Sequence, residues 1–259
     1  MNFNNKAITI TFGDQAENHL GMQKIGQMAT CGLSIDELKS AKTKFEKLGC
    51  LCQIINLNQA LPEEIDAESA CVLIIRKGVD KLLSKINSNA DLMFHEQNQL
   101  NTDKKALMYG RVVNKHARHN LCFSDFSQEP DYEHGLGRII SFNNVPLTKK
   151  IRDELPKYFT EKTSNLPAEG NYYYDATKTG IGYHGDSERK IVIAVRLGQS
   201  IPLVYNWFYK SEPIGQKINL VLNHGDMYVM SEKAVGTDWK NKNKYTLRHA
   251  AGCEKYTTL

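Results

Sequence analysis

Nowhere in the 259 residues is there a run of about 18 apolar side chains, the length a helix needs to cross a bilayer. A membrane-spanning helix is excluded on that ground. The amino end, MNFNNKAITITF, has neither the basic start nor the long apolar stretch of a secretory signal. The expectation is a cytoplasmic protein, with the nucleus left open, and no membrane partner. The six cysteines form no C-x-x-C pair and no zinc-type spacing; Cys50 and Cys52 stand one residue apart in an apolar run. They read as reduced thiols, mostly in the core, and a chain of this length buries enough apolar surface without disulfides. A strong charge of one sign is also lacking. A net charge of +4 tolerates a nucleic-acid partner without implying one, because a dedicated binder concentrates Lys and Arg on one face.

Two textures are present. Residues 1–90 read as a small α/β domain of no assigned role. Its alternating strand Ala7 to Phe12 leads to a helix announced by the capping box at Ser34-Ile35-Asp36-Glu37, with Leu38, Ala41, Phe45 and Leu48 on one face and Gly49 as stop. Apolar runs at Leu51 to Leu57 and Cys71 to Ile75 and a helix over Val79 to Ile86 complete it, and the alternation of strand and helix predicts a parallel or mixed sheet. The polar stretch 91–104 reads as a linker. Beyond it, 105–259 has strand-length segments punctuated by Gly, Asn, Asp and Pro, with one helix at Leu147 to Phe159, the pattern of an antiparallel barrel or jelly roll. The last strands are expected at Tyr245 to Arg248 and Lys255 to Leu259. The fold class expected for the whole chain is therefore α+β.

The chemistry concentrates at His184-Gly185-Asp186. Residues i and i+2 of a strand share a face, so one imidazole and one carboxylate point the same way. With a distant histidine they form a facial triad that leaves three positions open on an octahedral ion. Taken alone, the pair reads by default as a solvated turn.

Three further stretches bear on that choice: "YYYDATKTGIGYHGDSE" (Tyr172 to Glu188), "INLVLNHGDMYVMS" (Ile218 to Ser231) and "TLRHAAG" (Thr246 to Gly252). In order and approximate spacing they resemble the AlkB-like branch of the Fe(II)/2-oxoglutarate dioxygenases, and the resemblance spans about residues 105 to 259. It implies a double-stranded β-helix (jelly-roll) catalytic domain, with His184 and Asp186 as metal ligands and Tyr174 contacting 2-oxoglutarate. It also implies that "YGRVVNKHARHNLCFSD" (Tyr109 to Asp125) forms part of a substrate lid. The sequence departs from the family where Trp239-Lys240 stands in place of an aromatic followed closely by the metal histidine. His249 is therefore taken as the distal ligand, and His224 as a turn hydrogen-bonding residue. No arginine follows His249, although the family anchors the distal carboxylate of 2-oxoglutarate on arginines of the last strand. Two readings stay open: Arg248 anchors if its own strand is terminal, or Lys255 anchors from a final strand and the triad stays intact. Arg196 is a third candidate, whose alternation with Val195 and Leu197 otherwise reads as a barrel exterior.

The resemblance implies Fe(II) as cofactor, 2-oxoglutarate and O₂ as co-substrates, and hydroxylation or demethylation of a substrate. For this family that substrate is a modified nucleic-acid base, and Arg111, Lys115 and Arg118 would then contact phosphates beside a flipped base. Two alternatives stand beside it. One is a hydroxylase of a protein side chain or small molecule with the same cofactors; the other is a non-enzymatic, cupin-like metal-binding module.

Overall fold

The structure, a computed structural model, describes residues 3–259. The chain opens with β1 (Ala7–Phe12) and the short ribbon β2 (Gln15–Glu17) and β3 (Lys24–Gly26). It continues through α1 (Ile35–Lys47), β4 (Cys52–Asn56), β5 (Cys71–Ile75), α2 (Gly78–Leu83) and α3 (Ala90–Asn98). A separate hairpin, β6 (Lys105–Met108) and β7 (Arg111–Asn114), precedes β8 (His119–Ser124), β9 (Ile139–Ser141) and α4 (Pro146–Tyr158). Then come β10 (Ala168–Tyr173), β11 (Gly180–His184), β12 (Val192–Gly198), β13 (Ile201–Tyr209), β14 (Glu212–Leu222) and β15 (Met227–Met230). The short α5 (Glu232–Val235), β16 (Thr246–Gly252) and the short α6 (Glu254–Thr257) close the chain.

Two sheets carry the fold. One has eight strands in the order β4-β5-β15-β12-β1-β10-β8-β9, the other four in the order β11-β16-β13-β14. Every pairing is antiparallel except β8 with β9. The architecture is thus mixed α/β, dominated by antiparallel sheets around a sandwich-like core. Val72, Ile74, Val192, Ala194, Tyr228 and Met230 of the large sheet meet Leu203, Tyr205, Trp207, Leu247 and Ala251 of the small one. The other face of the large sheet, through Ile8, Ile10, Phe12, Ile193, Val195 and Leu197, is covered by apolar residues of α1 to α4. Burial on both faces explains why β12 is apolar except at Arg196 rather than alternating.

The capping box forms as the sequence requires: the Glu37 amide donates to Ser34 Oγ, and the Ser34 amide donates to the Glu37 carboxylate. Leu38, Ala41 and Phe45 are buried, and Pro146 occupies the first turn of α4. The division expected at 91–104 has no counterpart in the sheet. β1 lies between β10 and β12, and β5 pairs with β15, so strands from the first 90 residues are hydrogen-bonded into the same sheet as strands from beyond residue 105. Most of the expected linker belongs to α3, whose Ala90, Met93 and Phe94 pack into the core. A parallel or mixed sheet is expected for the early segment; its strands β4 and β5 run antiparallel, and the sheet they join is mixed through the parallel pair β8 and β9. The final strand expected at Lys255 to Leu259 is instead the helical turn α6. Its place beside β12 and β10 is held by β1.

Candidate metal centre

β11 pairs antiparallel with β16 so that His184 stands opposite His249, their ring centroids 4.5 Å apart. Gly185 then turns the chain. A Cβ there would lie 2.0 Å from the Gly236 carbonyl oxygen and 2.7 Å from Trp239 Cβ, so only glycine lets the two segments touch. The Asp186 amide donates to Val235 O at 3.1 Å, which sets the carboxylate between the two imidazoles. Its Oδ1 lies 3.4 Å from His184 Nε2 and 3.5 Å from His249 Nε2.

These three side chains could hold a metal ion, since one ligand atom from each lies within 4.8 Å of the others. Two metal bonds of about 2.1 Å meeting at roughly 90–110° span about 3.0–3.4 Å, close to the spacings found. The donor set also fits. His184 Nδ1 lies 2.8 Å from Gly182 O and takes the proton there, leaving the Nε2 lone pair facing Asp186. Burial holds His249 below the usual imidazole range, aided by neighbouring His184 and opposed by Asp186, so the ring favours the neutral, ligating form. Burial alone would raise Asp186, but the Arg189 charge and the two histidines outweigh it and hold the carboxyl well below its usual range.

Arg189 is the centre of a buried ionic network. Its guanidinium bonds the Glu169 and Glu188 carboxylates, and its Nε lies 3.6 Å from Asp186 Oδ2. Both Asp186 oxygens therefore have an assigned direction, Oδ1 toward the histidines and Oδ2 toward the arginine.

The triad opens onto a cavity of about 300 Å³. Thr9 and Thr11 of β1 form part of its wall, as do Tyr173, Tyr228, Leu203 and Met230. Glu17, Asn18, Arg118 and Trp239 stand on the same lining. Behind Thr9, its register partner Arg196 is fully buried. Arg196 Nη1 donates to Ile201 O at 3.3 Å. The guanidinium also faces the Tyr228 hydroxyl and Thr9 the Tyr173 hydroxyl, though Nε, Nη2 and Thr9 Oγ1 make no well-formed hydrogen bond. A buried guanidinium so weakly satisfied is costly, and an anion in the cavity walled by Tyr173 and Tyr228 would offset part of that cost.

Of the residues singled out from the sequence, His184, Asp186, His249 and Arg118 meet at this cavity. The others do not. Tyr174 is 39% exposed, stacks on His119 and donates to His116 O, and its neighbour Tyr173 faces the cavity because successive strand residues point to opposite faces. Arg248, next to His249, likewise points out of the sandwich, its guanidinium over the Phe208 and Trp239 rings. Lys255 sits exposed on α6 with its ammonium over Tyr256. Arg111 is exposed on β7, and Lys115 donates to Asn18 and Asn120 with its pKa pushed down to about 8 by burial. His224 is far from the triad in role: it accepts from the Gly198 amide and faces Asp91. Arg196 turns inward, not outward, because Val192, Ala194 and Arg196 share the face between the sheets. Sequence reasoning missed Arg189, Glu17 and the two threonines. The alternation Ile8-Thr9-Ile10-Thr11-Phe12 did carry a signal, a polar face on a strand buried on both sides.

No protein-family model matches the chain. It is similar to Uncharacterized protein R156 of Acanthamoeba polyphaga mimivirus, 46% identical over 254 residues, with 97% of each chain covered. The chain belongs to the family of that viral protein. The likeness extends over β1 as well as β16, so it embraces every segment that contributes to the cavity.

Proposed function

We propose that the protein is an Fe(II)- and 2-oxoglutarate-dependent oxygenase of the AlkB-like kind, built on a double-stranded β-helix. The observation that carries this reading is the His184, Asp186, His249 group opening onto a cavity whose Thr9 and Tyr228 wall has the buried Arg196 guanidinium behind it. Strands from β10 to β13 alternate between the two sheets, as do β14 to β16, which supports the jelly-roll winding; β1 supplies the remaining strand of the large sheet.

His184, Asp186 and His249 would hold the iron, and the iron with 2-oxoglutarate and O₂ supplies oxidation of a C–H bond, the 2-oxo acid leaving as succinate and CO₂. The chain's own residues bind and orient. Arg189 fixes the Asp186 oxygen that faces away from the histidines. Arg196 and the Thr9 hydroxyl would receive the distal carboxylate of the 2-oxo acid, a charge-assisted contact suited to a guanidinium. Leu203, Met230 and Ala251 narrow the space around it and keep water out. At the small end of the ~300–1,000 Å³ typical of ligand sites, the cavity with a co-substrate inside has room for a group the size of one side chain or base. A phosphate track draws less support, since of Arg111, Lys115 and Arg118 only Arg118 reaches the wall.

Adding Fe(II) to the protein with 2-oxoglutarate under argon is expected to give a weak visible charge-transfer band, and air is expected to yield succinate. A spectrum identical to that of His249→Ala, with no succinate, would rule the reading out.

A further inference from the structure

The cavity wall carries four carboxylates, Glu17, Glu169, Asp186 and Glu188, and they are not equivalent. Glu169 and Glu188 are matched by Arg189, and Asp186 by the two histidines and Arg189. Glu17 is different. It ends β2, is 6% exposed, and its Oε1 accepts from the Gly21 amide at 2.8 Å. No lysine, arginine or histidine among the described residues forms an ion pair with it, and Lys24 acts on it only through its field. Burial pushes its carboxyl up, and Glu188 and Glu169 add to that push. A buried carboxylate with a free oxygen on a cavity wall is stabilised by whatever cation or strong N–H donor enters.

The cations on the same wall sort in the same manner. Arg189 is saturated, and Arg118 uses Nε on Asn171 Oδ1, which leaves its two amino groups without a protein partner. Asn18, between them in the wall, is fully engaged with Asp103 and Lys115. Lys240, also on the wall, lies with its ammonium over the Trp239 ring. The groups with spare capacity are therefore one carboxylate oxygen, one guanidinium edge and the Lys240 ammonium.

We propose that the substrate of this site carries an ammonium or guanidinium group that Glu17 receives, with an adjacent carboxylate or carbonyl oxygen received by Arg118. The chemical class is a basic amino acid, free or within a peptide. This rests on the oxygenase reading for what happens to the bound group, though recognition by Glu17 does not depend on metal.

The test is calorimetric binding of L-lysine, L-arginine, the uncharged isostere norleucine, a capped lysine peptide and a thymidine oligonucleotide. Each is titrated into the protein with and without Mn(II) and 2-oxoglutarate. Wild type is expected to prefer lysine or arginine over norleucine by about 10- to 100-fold, the worth of one charge-assisted contact. In Glu17→Gln that preference should shrink to within about threefold. A mere structural role for Glu17 would weaken all ligands alike and leave the ratio unchanged. The free amino acid and the capped peptide separate the two sources of the cation. Equal binding of lysine and norleucine by wild type, an unchanged ratio in Glu17→Gln, or tighter binding of the oligonucleotide would overturn the proposal. Failure to take up Mn(II) and 2-oxoglutarate would instead overturn the oxygenase reading, while the lysine to norleucine ratio without them still decides this one.

Discussion

Replacing Arg196 by methionine should make the free protein more stable and the ligand weaker, two effects of opposite sign from one change. Arg196 is fully buried, and apart from Nη1 on Ile201 O its guanidinium makes no well-formed hydrogen bond, facing only the Tyr228 hydroxyl. Leaving a buried polar group unsatisfied costs about 1–3 kcal/mol, more for a charged one, and an unbranched apolar side chain of similar length fills the same space without that cost. For a chain of this size about 2–4 °C of melting temperature accompanies each kcal/mol, so Arg196→Met is expected to melt roughly 2–10 °C higher when free. The dicarboxylate is expected to bind about 10- to 100-fold more weakly, through loss of a contact worth about 1.5–3 kcal/mol. At a 2-oxoglutarate concentration 100 times the wild-type Kd, ligand stabilises wild type by about 2.7 kcal/mol; a thirtyfold weaker Kd reduces that to about 0.9 kcal/mol. Thermal melts with Mn(II), across a 2-oxoglutarate series, read both effects in one experiment. A variant that melts lower than wild type when free, and is stabilised by 2-oxoglutarate as much as wild type, would refute the reasoning, because Arg196 would then be a satisfied structural group.

Two further outcomes are expected. Gly185→Ala drives a Cβ into the Gly236 carbonyl, so the β11 end must move away from the loop that positions Asp186; overpacking of this sort costs about 1–3 kcal/mol, and metal affinity should fall at least about tenfold, read by melting and by Co(II) titration. Glu154 on α4 is buried, which by itself would raise its pKa, but Lys150 and Lys157 outweigh burial and hold it down to about 2. A carboxyl depressed in the folded state contributes stability above its unfolded pKa near 4.5 and loses it as pH falls toward 2. Glu154→Gln should therefore destabilise by roughly 1–2 kcal/mol at pH 7, with solvent screening of the lysines allowed for, and the gap from wild type should close between about pH 4.5 and 2. Denaturant melts at several pH values check it, and a gap that does not change with pH would remove the charge from the explanation.

Local signals in the sequence were faithful where the physics is local. The Ser34 to Glu37 box depends on contacts within a few residues, and it forms as read. His249 follows as the distal ligand because it is the next histidine after the departure at Trp239-Lys240, and the strand register places it opposite His184. What failed depends on contacts across the chain. Whether Arg196 faces in or out cannot be read from alternation in a strand whose seven residues are all buried. Tyr174 and Arg248 were each one residue from the position that faces the cavity, an error that flips a side chain through the sheet. Polar α3 resembles a linker because only one side of it meets the core, and its Gln97 is satisfied by Thr148 and Tyr172 rather than by water.

The deepest gap concerns β1. A strand inserted between β10 and β12 leaves no trace in its neighbours along the chain, because its partners, Tyr173 to Ala168 and Gly198 to Ile193, lie more than 150 residues away. Yet that insertion decides how the site is made. Thr9 and Thr11 enter the cavity from the amino end, His249 from the carboxy end, and Arg196 on β12 lies between β1 and β15. Closing so long a loop costs entropy before any contact repays it, so the centre of the large sheet cannot form until the late strands exist to receive β1. The buried Arg196 and the candidate metal ligands thus depend on strands from both ends of the chain. A segment that reads as an independent module by its texture is, by its pairing, the wall of the candidate active site.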